Sequence, residues 1–418
     1  MIREIRTQLN FHPVGQGLYA SGHLYEELHM PTQPFFSWVY DCGTLSSNAL
    51  VNNASKLLKT ALGGAAKPRL GLVVISHFDK DHISGLVNLL LNFHVEVLLM
   101  PYLVPWQRAA IVFGNGVYVS KRDRAFILDP VGAIAAMQGV QVDHIVWAVA
   151  GDQNASPDGD DNFVNRNEPP VLTIDEGAPE DDWQSWEVNR GSLQGIAKVS
   201  MLRPGGRLCI RGIWEFVPYQ DATIKKKPDA SFLADASAKL EWLLKAPCEA
   251  FKDDVLKRLK ALYEARFVGS KQRNIISMFM YAGSLGAARM ARCGCTIPMA
   301  ANYAPICVFH HFDMVNVIYT GDGYLDTPKR LSSLFKHLGA RRMQHVLVFQ
   351  VMHHGAHANW HSGLAHSIRP GVSVFSSDPT RGDRPHPHKP VELDFAAYSP
   401  RQVDRFKGLS LAGCFSVN

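Results

Sequence analysis

The 418-residue chain is 46% hydrophobic and 19% charged, the make-up of an ordinary globular protein rather than a disordered or fibrous one. Its net charge of +5 is mildly basic, which suits an anionic substrate but is far from the charge of a protein that coats nucleic acid. Seven scattered cysteines, an odd number, argue against a disulfide framework, and no run near 18 apolar residues predicts a membrane span.

In chain order, Met1-Ile2-Arg3-Glu4-Ile5 lacks the apolar core of a signal peptide, so a reducing cytoplasm is the expected compartment. Residues 1–43 read as strands broken by Gly-rich turns. Ala49 to Leu62 has helical spacing (Leu50, Ala54, Leu57, Leu58, Ala61) and stops at Gly63-Gly64. A buried strand over 70–75 precedes the loop Ser76-His77-Phe78-Asp79-Lys80-Asp81-His82, and a helix follows over Ile83 to Leu91. Val95 to Met100 is a strand, 121–139 is helical, and Val142 to Val149 is a second buried strand. This strand–helix–strand rhythm predicts a layered fold of helices and sheets.

Residues 150–270 read as an insertion in a single domain spanning 1–418. Gly151 to Asp182 is an irregular, Asp- and Pro-rich surface loop. Arg207 to Tyr219 returns to strand character, Lys225-Lys226-Lys227 is a basic run, and Ser231 to Phe267 forms a helical pair that serves as a lid, a substrate grip or a partner surface. Asn274 to Met280 is again a strand. A second insertion is expected over 283–312 and contains Cys293-Gly-Cys295, read as reduced and structural. Then come strand Val315 to Tyr319, helix Thr327 to Leu338 and strand Val346 to Val351.

The loop after the strand at 70–75 carries two histidines and two carboxylates within six residues. A polar turn would use the same residue types. As a ligand set, imidazole and carboxylate suit divalent zinc, manganese or iron. The later strands end in the same kind of loop: Thr320-Gly321-Asp322 and His353-His354-Gly355.

The set His77-x-Asp79-x-Asp81-His82, with Ile83-x-Gly85 after it, resembles the signature of the metallo-β-lactamase superfamily, His-x-His-x-Asp-His, with Asp79 in place of the second histidine. That variant resembles the hydrolase domain of the DNA-uptake protein ComEC and its stand-alone relatives. Val14-Gly15-Gln16-Gly17, Asp41-Cys42-Gly43, Tyr319-Thr320-Gly321-Asp322, Val351-Met352-His353-His354-Gly355 and His386-Pro387 resemble further motifs of that branch, in the same order. The resemblance covers roughly 10–100 and 270–418. It implies an α+β protein with a four-layer αβ/βα sandwich.

It also implies two divalent ions, zinc or manganese with magnesium allowed. His77 and Asp79 would hold one and Asp81 and His82 the other. Asp322 would bridge them, and one of His353 and His354 would complete the second site. Water activated between two such ions would be the nucleophile, with Asp81 and Asp322 in catalytic positions. No Gly-x-Ser-x-Gly element and no phosphate-binding P-loop occurs in the sequence. Asp79, a hard oxygen donor, shifts the expected preference from zinc toward manganese or magnesium. The wider superfamily has a further histidine on the first ion. His144 and Asp152 lie in the right interval but read as strand-edge and loop residues. His386, in the loop Arg384 to Lys389, would donate a proton to a leaving oxygen or bind a phosphoryl oxygen.

Three functions compete. A metal-dependent phosphodiesterase or nuclease would collect nucleic-acid or nucleotide phosphates on Lys80, Lys225 to Lys227, Arg341-Arg342 and Arg381 to Lys389. A hydrolase of a small ester, lactone, thioester or amide would use the same cage on a carbonyl. A non-catalytic subunit of a bacterial defence or DNA-processing complex would have no need of all four ligand loops.

Overall fold

The computed structural model describes residues 3–26, 33–113, 121–150, 171–191, 193–221, 230–245, 252–266, 277–285, 303–307, 315–382 and 385–417. They form a mixed α/β structure with two sheets, compatible with the expected α+β class. The first sheet runs, in spatial order, β13 (Tyr303–Cys307), β18 (Gly408–Val417), β1 (Arg3–Phe11), β2 (Tyr19–Glu26), β3 (Phe36–Cys42), β4 (Arg69–Val74), β5 (His94–Pro101), β6 (Gln141–Ala148), β9 (Ile196–Leu202) and β8 (Glu176–Gly177). The second runs β17 (Pro400–Val403), β16 (Val372–Ser376), β15 (Val348–Gln350), β14 (Asn316–Tyr319), β12 (Phe279–Ser284), β11 (Trp214–Tyr219), β10 (Leu208–Ile210) and β7 (Leu172–Ile174).

The strands that end near the site are buried on both faces, which is why they read as apolar runs rather than alternations. The pleat still separates their side chains by parity. Trp38 and Tyr40 of β3 and Leu72 and Val74 of β4 share one cluster with Val317 and Tyr319 of β14 and Val348 of β15. Val39 and Val73 point the other way, into a cluster with Val51, Ala54 and Leu58 of the helix Asn48–Ala61. Ile318 and Phe349 likewise join Leu334 and Leu338 of the helix Pro328–Gln344. Each large apolar side chain so buried stabilises the fold by about 1.5–3 kcal/mol.

Two stretches of parallel pairing decide where loops go. Strands β3, β4, β5, β6 and β9 are parallel neighbours, as are β14, β15, β16 and β17. Parallel strands deliver their following loops to one edge, where α/β proteins place ligands. Near that edge the Tyr40 ring stacks on Tyr319 across the sheets at 4.6 Å, and the Tyr40 hydroxyl donates to Met278 O at 2.7 Å.

Several expected elements differ in detail. The helix expected over 83–91 is two pieces, Lys80–Ile83 and Leu86–Asn92. The break is used for docking: Gly85 N–H donates to Cys42 O at 2.8 Å, and the Ser84 hydroxyl accepts from Thr44 N at 2.8 Å. The stretch 150–270 is woven into both sheets rather than set outside them, since β8 and β9 extend the first and β7, β10 and β11 the second. Residues 151–170 and Lys225 to Lys227 lie outside the described residues, as do Asp152, Asn274, Cys293, Cys295 and Arg384. Of the expected second insertion, Gly283 and Ser284 belong to β12 and residues 303–307 form β13. Among the described residues no helix is long and apolar enough to cross a membrane.

Candidate metal centre

Four loops at the ends of β3, β4, β14 and β15 converge. His77, Asp79, Asp81 and His82 come from the loop and short helix after β4, Asp322 from the turn after β14, and His353 and His354 from the turn after β15. The expected ligands are therefore together. Asp322 sits at their centre, 2% exposed, and its two oxygens face different groups. Oδ1 is 3.0 Å from His82 Nε2 and 3.6 Å from His354 Nε2. Oδ2 is 3.4 Å from His353 Nε2 and 3.8 Å from His77 Nε2. His354 Nε2 is also 3.2 Å from Asp81 Oδ2, and His77 Nε2 is 4.0 Å from Asp79 Oδ2.

These spacings fit metal ligation. Ligand atoms on one tetrahedral ion, with bonds of about 2 Å, stand about 3.3 Å apart. Donor atoms of Asp81, His82, Asp322 and His354 all lie within 4.8 Å of one another, so this buried cluster could hold a metal ion. His77 Nε2 is buried with no hydrogen-bond partner among the described residues, an orphan that a cation would satisfy.

The chain anchors each imidazole from behind. His82 Nδ1 lies 2.7 Å from Asp41 Oδ2, and His354 Nδ1 lies 2.5 Å from Ser376 O. His353 Nδ1 is 2.9 Å from Asn359 Oδ1. His77 Nδ1 is 2.9 Å from Ser76 Oγ, whose own proton goes to Asp41 Oδ2 at 2.6 Å. All four partners can accept, so a hydrogen on Nδ1 suits each ring, and each Nε2 is turned toward Asp322. Anchoring of this kind fixes the ring and raises ligand basicity.

The backbone around the site is strained in the same places. Asp41, His353 and His354 have φ of 54°, 45° and 58°, in the left-handed region that residues with a Cβ avoid. Gly321, at φ 52°, needs its lack of a side chain twice over: a Cβ there would meet Ser277 Oγ at 2.5 Å and Ser76 Oγ at 2.8 Å. Gln350 Oε1 accepts from Thr320 N at 2.7 Å and Gly321 N at 2.9 Å, holding the Asp322 turn. Ser277 Oγ accepts from Asp322 N at 3.0 Å.

Burial and charge act against each other here. Burial alone would raise the Asp81 carboxyl, but His82 and His354 beside it hold it down at about 2. Burial would raise Asp322 too, and His353, His82 and His354 keep it well below the usual carboxylate range. Burial, reinforced by His82, lowers His77 to about 4, so that ring is neutral near pH 7 as a ligand must be.

Other expected residues are placed as follows. His386 stacks beside His353, with ring centroids 6.1 Å apart, and its Nδ1 is buried without a partner among the described residues. Burial, together with His354, His353 and His388, pushes it down to about 3. A ring that is neutral near pH 7 offers a hydrogen bond to a phosphoryl oxygen more readily than an imidazolium proton to a leaving group. Lys80 is exposed at the site's rim. His144 is not at the site: its Nε2 bonds Ser200 Oγ at 2.7 Å within the first sheet. Arg341 and Arg342 do not form a phosphate collector. Both grip Glu215, at 2.6 Å and 2.9 Å, and Arg342 is fully buried.

Sequence reasoning quoted Asp41 as part of a motif but gave it no role, and it missed Ser76, Gln350 and Asn359. The signal for Asp41 and Gln350 was a polar residue at the end of an apolar strand. Asn359 had none. No family model matches this chain, and no curated protein matches it.

Proposed function

We propose that the chain is a metal-dependent hydrolase of the metallo-β-lactamase fold, in its ComEC-like branch, and acts as a phosphodiesterase or nuclease. The observation that carries this reading is the cage itself: four imidazoles, each anchored through Nδ1, present Nε2 to the two oxygens of one buried aspartate. A structural role for these residues would not require so many convergent donors of one kind. Three apolar clusters, one shared by the two sheets and one between each sheet and its helices, support a helix–sheet–sheet–helix sandwich.

His77, Asp79, His353 and Asp322 Oδ2 would hold one divalent ion, and Asp81, His82, His354 and Asp322 Oδ1 a second. When bound, such a pair supplies Lewis acidity and an acidified water for in-line displacement. The residues do the rest. Asp322 sets the spacing of the two halves. Asp41, Ser76, Asn359 and Ser376 orient the donors. His386 offers a hydrogen bond at the rim, and Lys80 offers a positive charge there. A cavity of about 540 Å³ is lined by Ser46, Asp378, Thr380, Arg381 and Arg405 among others, with Arg405 Nε 3.5 Å from Asp378 Oδ2. It is tied to the glycine-rich turn by Asp378 N, which donates to Gln16 Oε1 at 3.3 Å. Lys80 and Arg381 favour a phosphodiester over a neutral ester.

The test is a turnover screen with manganese, magnesium and zinc over single- and double-stranded DNA, RNA, cyclic dinucleotides and p-nitrophenyl esters. Metal-dependent phosphodiester cleavage is expected, with kcat/KM falling steeply as salt rises if the substrate is a polynucleotide. Turnover of neutral esters alone, with a flat salt dependence, would move the assignment to a small-molecule hydrolase.

A further inference from the structure

His353 is the most exposed of the four imidazoles, and its backbone sits at a positive φ, so nothing about its own position dictates which ring nitrogen faces inward. Asn359 does. Its amide is fully buried, and its orientation is settled by neighbours that can only accept. Nδ2 donates to Asp322 O at 2.8 Å and to Gly323 O at 3.1 Å. The nitrogen must face those carbonyls, so Oδ1 must face His353 Nδ1, 2.9 Å away. An oxygen that only accepts requires a proton on Nδ1, and Nε2 is the nitrogen turned toward Asp322 Oδ2, 3.4 Å away.

The same side chain therefore joins two ligand loops. It takes hold of the backbone of the Asp322 turn with one end and of the His353 ring with the other. The loops are also tied directly, by His353 N–H to Gly321 O at 2.9 Å and by Leu325 N–H to Asn359 O at 2.9 Å. From this we infer that Asn359 is a positioning residue that makes His353 the third protein donor of the half containing His77 and Asp79. No donor from the 140–152 interval is needed there. The inference rests on the metal reading above and extends it to the half left short of a ligand in the sequence.

The experiment uses the full chain. In metal-free wild type, long-range proton–nitrogen correlation reads the tautomer of each imidazole, with His353 assigned by its loss in His353→Gln. The expected result is hydrogen on Nδ1; hydrogen on Nε2 alone overturns the inference without any change at position 359. Manganese titration then follows wild type, Asn359→Leu, His353→Gln and the double variant. Asn359→Leu should weaken one of two binding events by about ten- to hundred-fold, the size expected when an outer partner of a ligand is lost. The double variant should bind that ion no more weakly than His353→Gln alone, which a merely structural role for Asn359 would not produce. Additive losses, or equal losses at both ions, overturn the inference. Wild type that takes up two ions while Asn359→Leu binds them unchanged overturns only the role of Asn359. Wild type that takes up no ion overturns the metal reading and this inference with it.

Discussion

The two halves of the cage use the same kinds of donor and meet solvent differently. Around Asp322 Oδ1, His82 and His354 are buried and Asp81 nearly so, and the two rings are anchored by a carboxylate and a backbone carbonyl. Around Asp322 Oδ2, His77 is buried, but the Asp79 and His353 side chains are 23% and 27% exposed. Closed coordination holds an ion as structure, whereas an open position admits water or substrate. One carboxylate thus joins a closed half to an open one. On the proposed metal reading, the difference teaches that the closed half would be prebuilt by the fold and the open half would be the one to admit water or substrate.

The comparison breaks most completely at the group both halves share. Asp322→Ala should empty both halves and lower kcat by at least about 10²–10³-fold, the loss expected when a preorganised electrostatic group goes. Its melting transition should stay cooperative, because the core is made by the strands behind it. Metal content by mass spectrometry and turnover check this, and full activity with metal bound would remove Asp322 from the mechanism.

Asp41→Asn strikes the closed half directly and the open half only through Ser76, which Asp41 holds behind His77. Loss of the carboxylate behind His82 should weaken the closed half about ten- to hundred-fold in metal affinity and the open half by less. A site-resolved titration in which both halves weaken equally would mean they are not separable. Asp79→His tests the open half. An imidazole in place of a hard oxygen should raise the zinc-to-manganese affinity ratio by on the order of ten-fold. An unchanged ratio would show that Asp79 is not a ligand.

An effect of pH on stability separates fold from cage. His12 and His23 lie away from the ligand loops, bonded to Ser21 Oγ at 2.9 Å and Ser37 Oγ at 2.8 Å. Burial, with His23 nearby, lowers His12 to about 3, and burial lowers His23 to about 4. Below the unfolded value near 6.5 the unfolded chain binds protons that the folded one refuses. Stability is therefore complete above that pH and falls as pH drops toward the folded values, by about 2 kcal/mol for each ring at pH 5. Denaturant unfolding at pH 7 and pH 5 should show a smaller difference in His23→Asn than in wild type. An equal difference would place the acid sensitivity elsewhere.

The ligand loops were legible because each follows an apolar strand that is buried on both faces, so the polar residues stand out where the strand stops: His77 after Val74, Asp322 after Tyr319, His353 after Gln350. What positions them was not legible. Asn359 reaches back 37 residues to Asp322 O, and Glu215 is matched to arginines 126 and 127 residues away. Such pairs leave no periodic trace. Arg341 and Arg342 read as free cations for the same reason, since a helix that breaks at Gly339 (φ 78°) is free to turn them inward toward a partner far off in the chain. The strands β7 to β11 were under-read because short strands such as Leu208–Ile210 carry too few residues to set a pattern, and only pairing with neighbours defines them.

Strand β18 lies beside β1, from Arg3 opposite Val417 to Phe11 opposite Leu409. Ser410 Oγ bonds Asn10 Oδ1 across 400 residues of chain. At ribosomal rates of about 5–20 residues per second, roughly 20–80 s pass between synthesis of the two partners. During that interval β1 presents an open edge, the kind of template on which strands mispair. The loop bearing His77 and His82 is also made long before the turns bearing Asp322 and His353. The cage therefore cannot close until those two turns have been made.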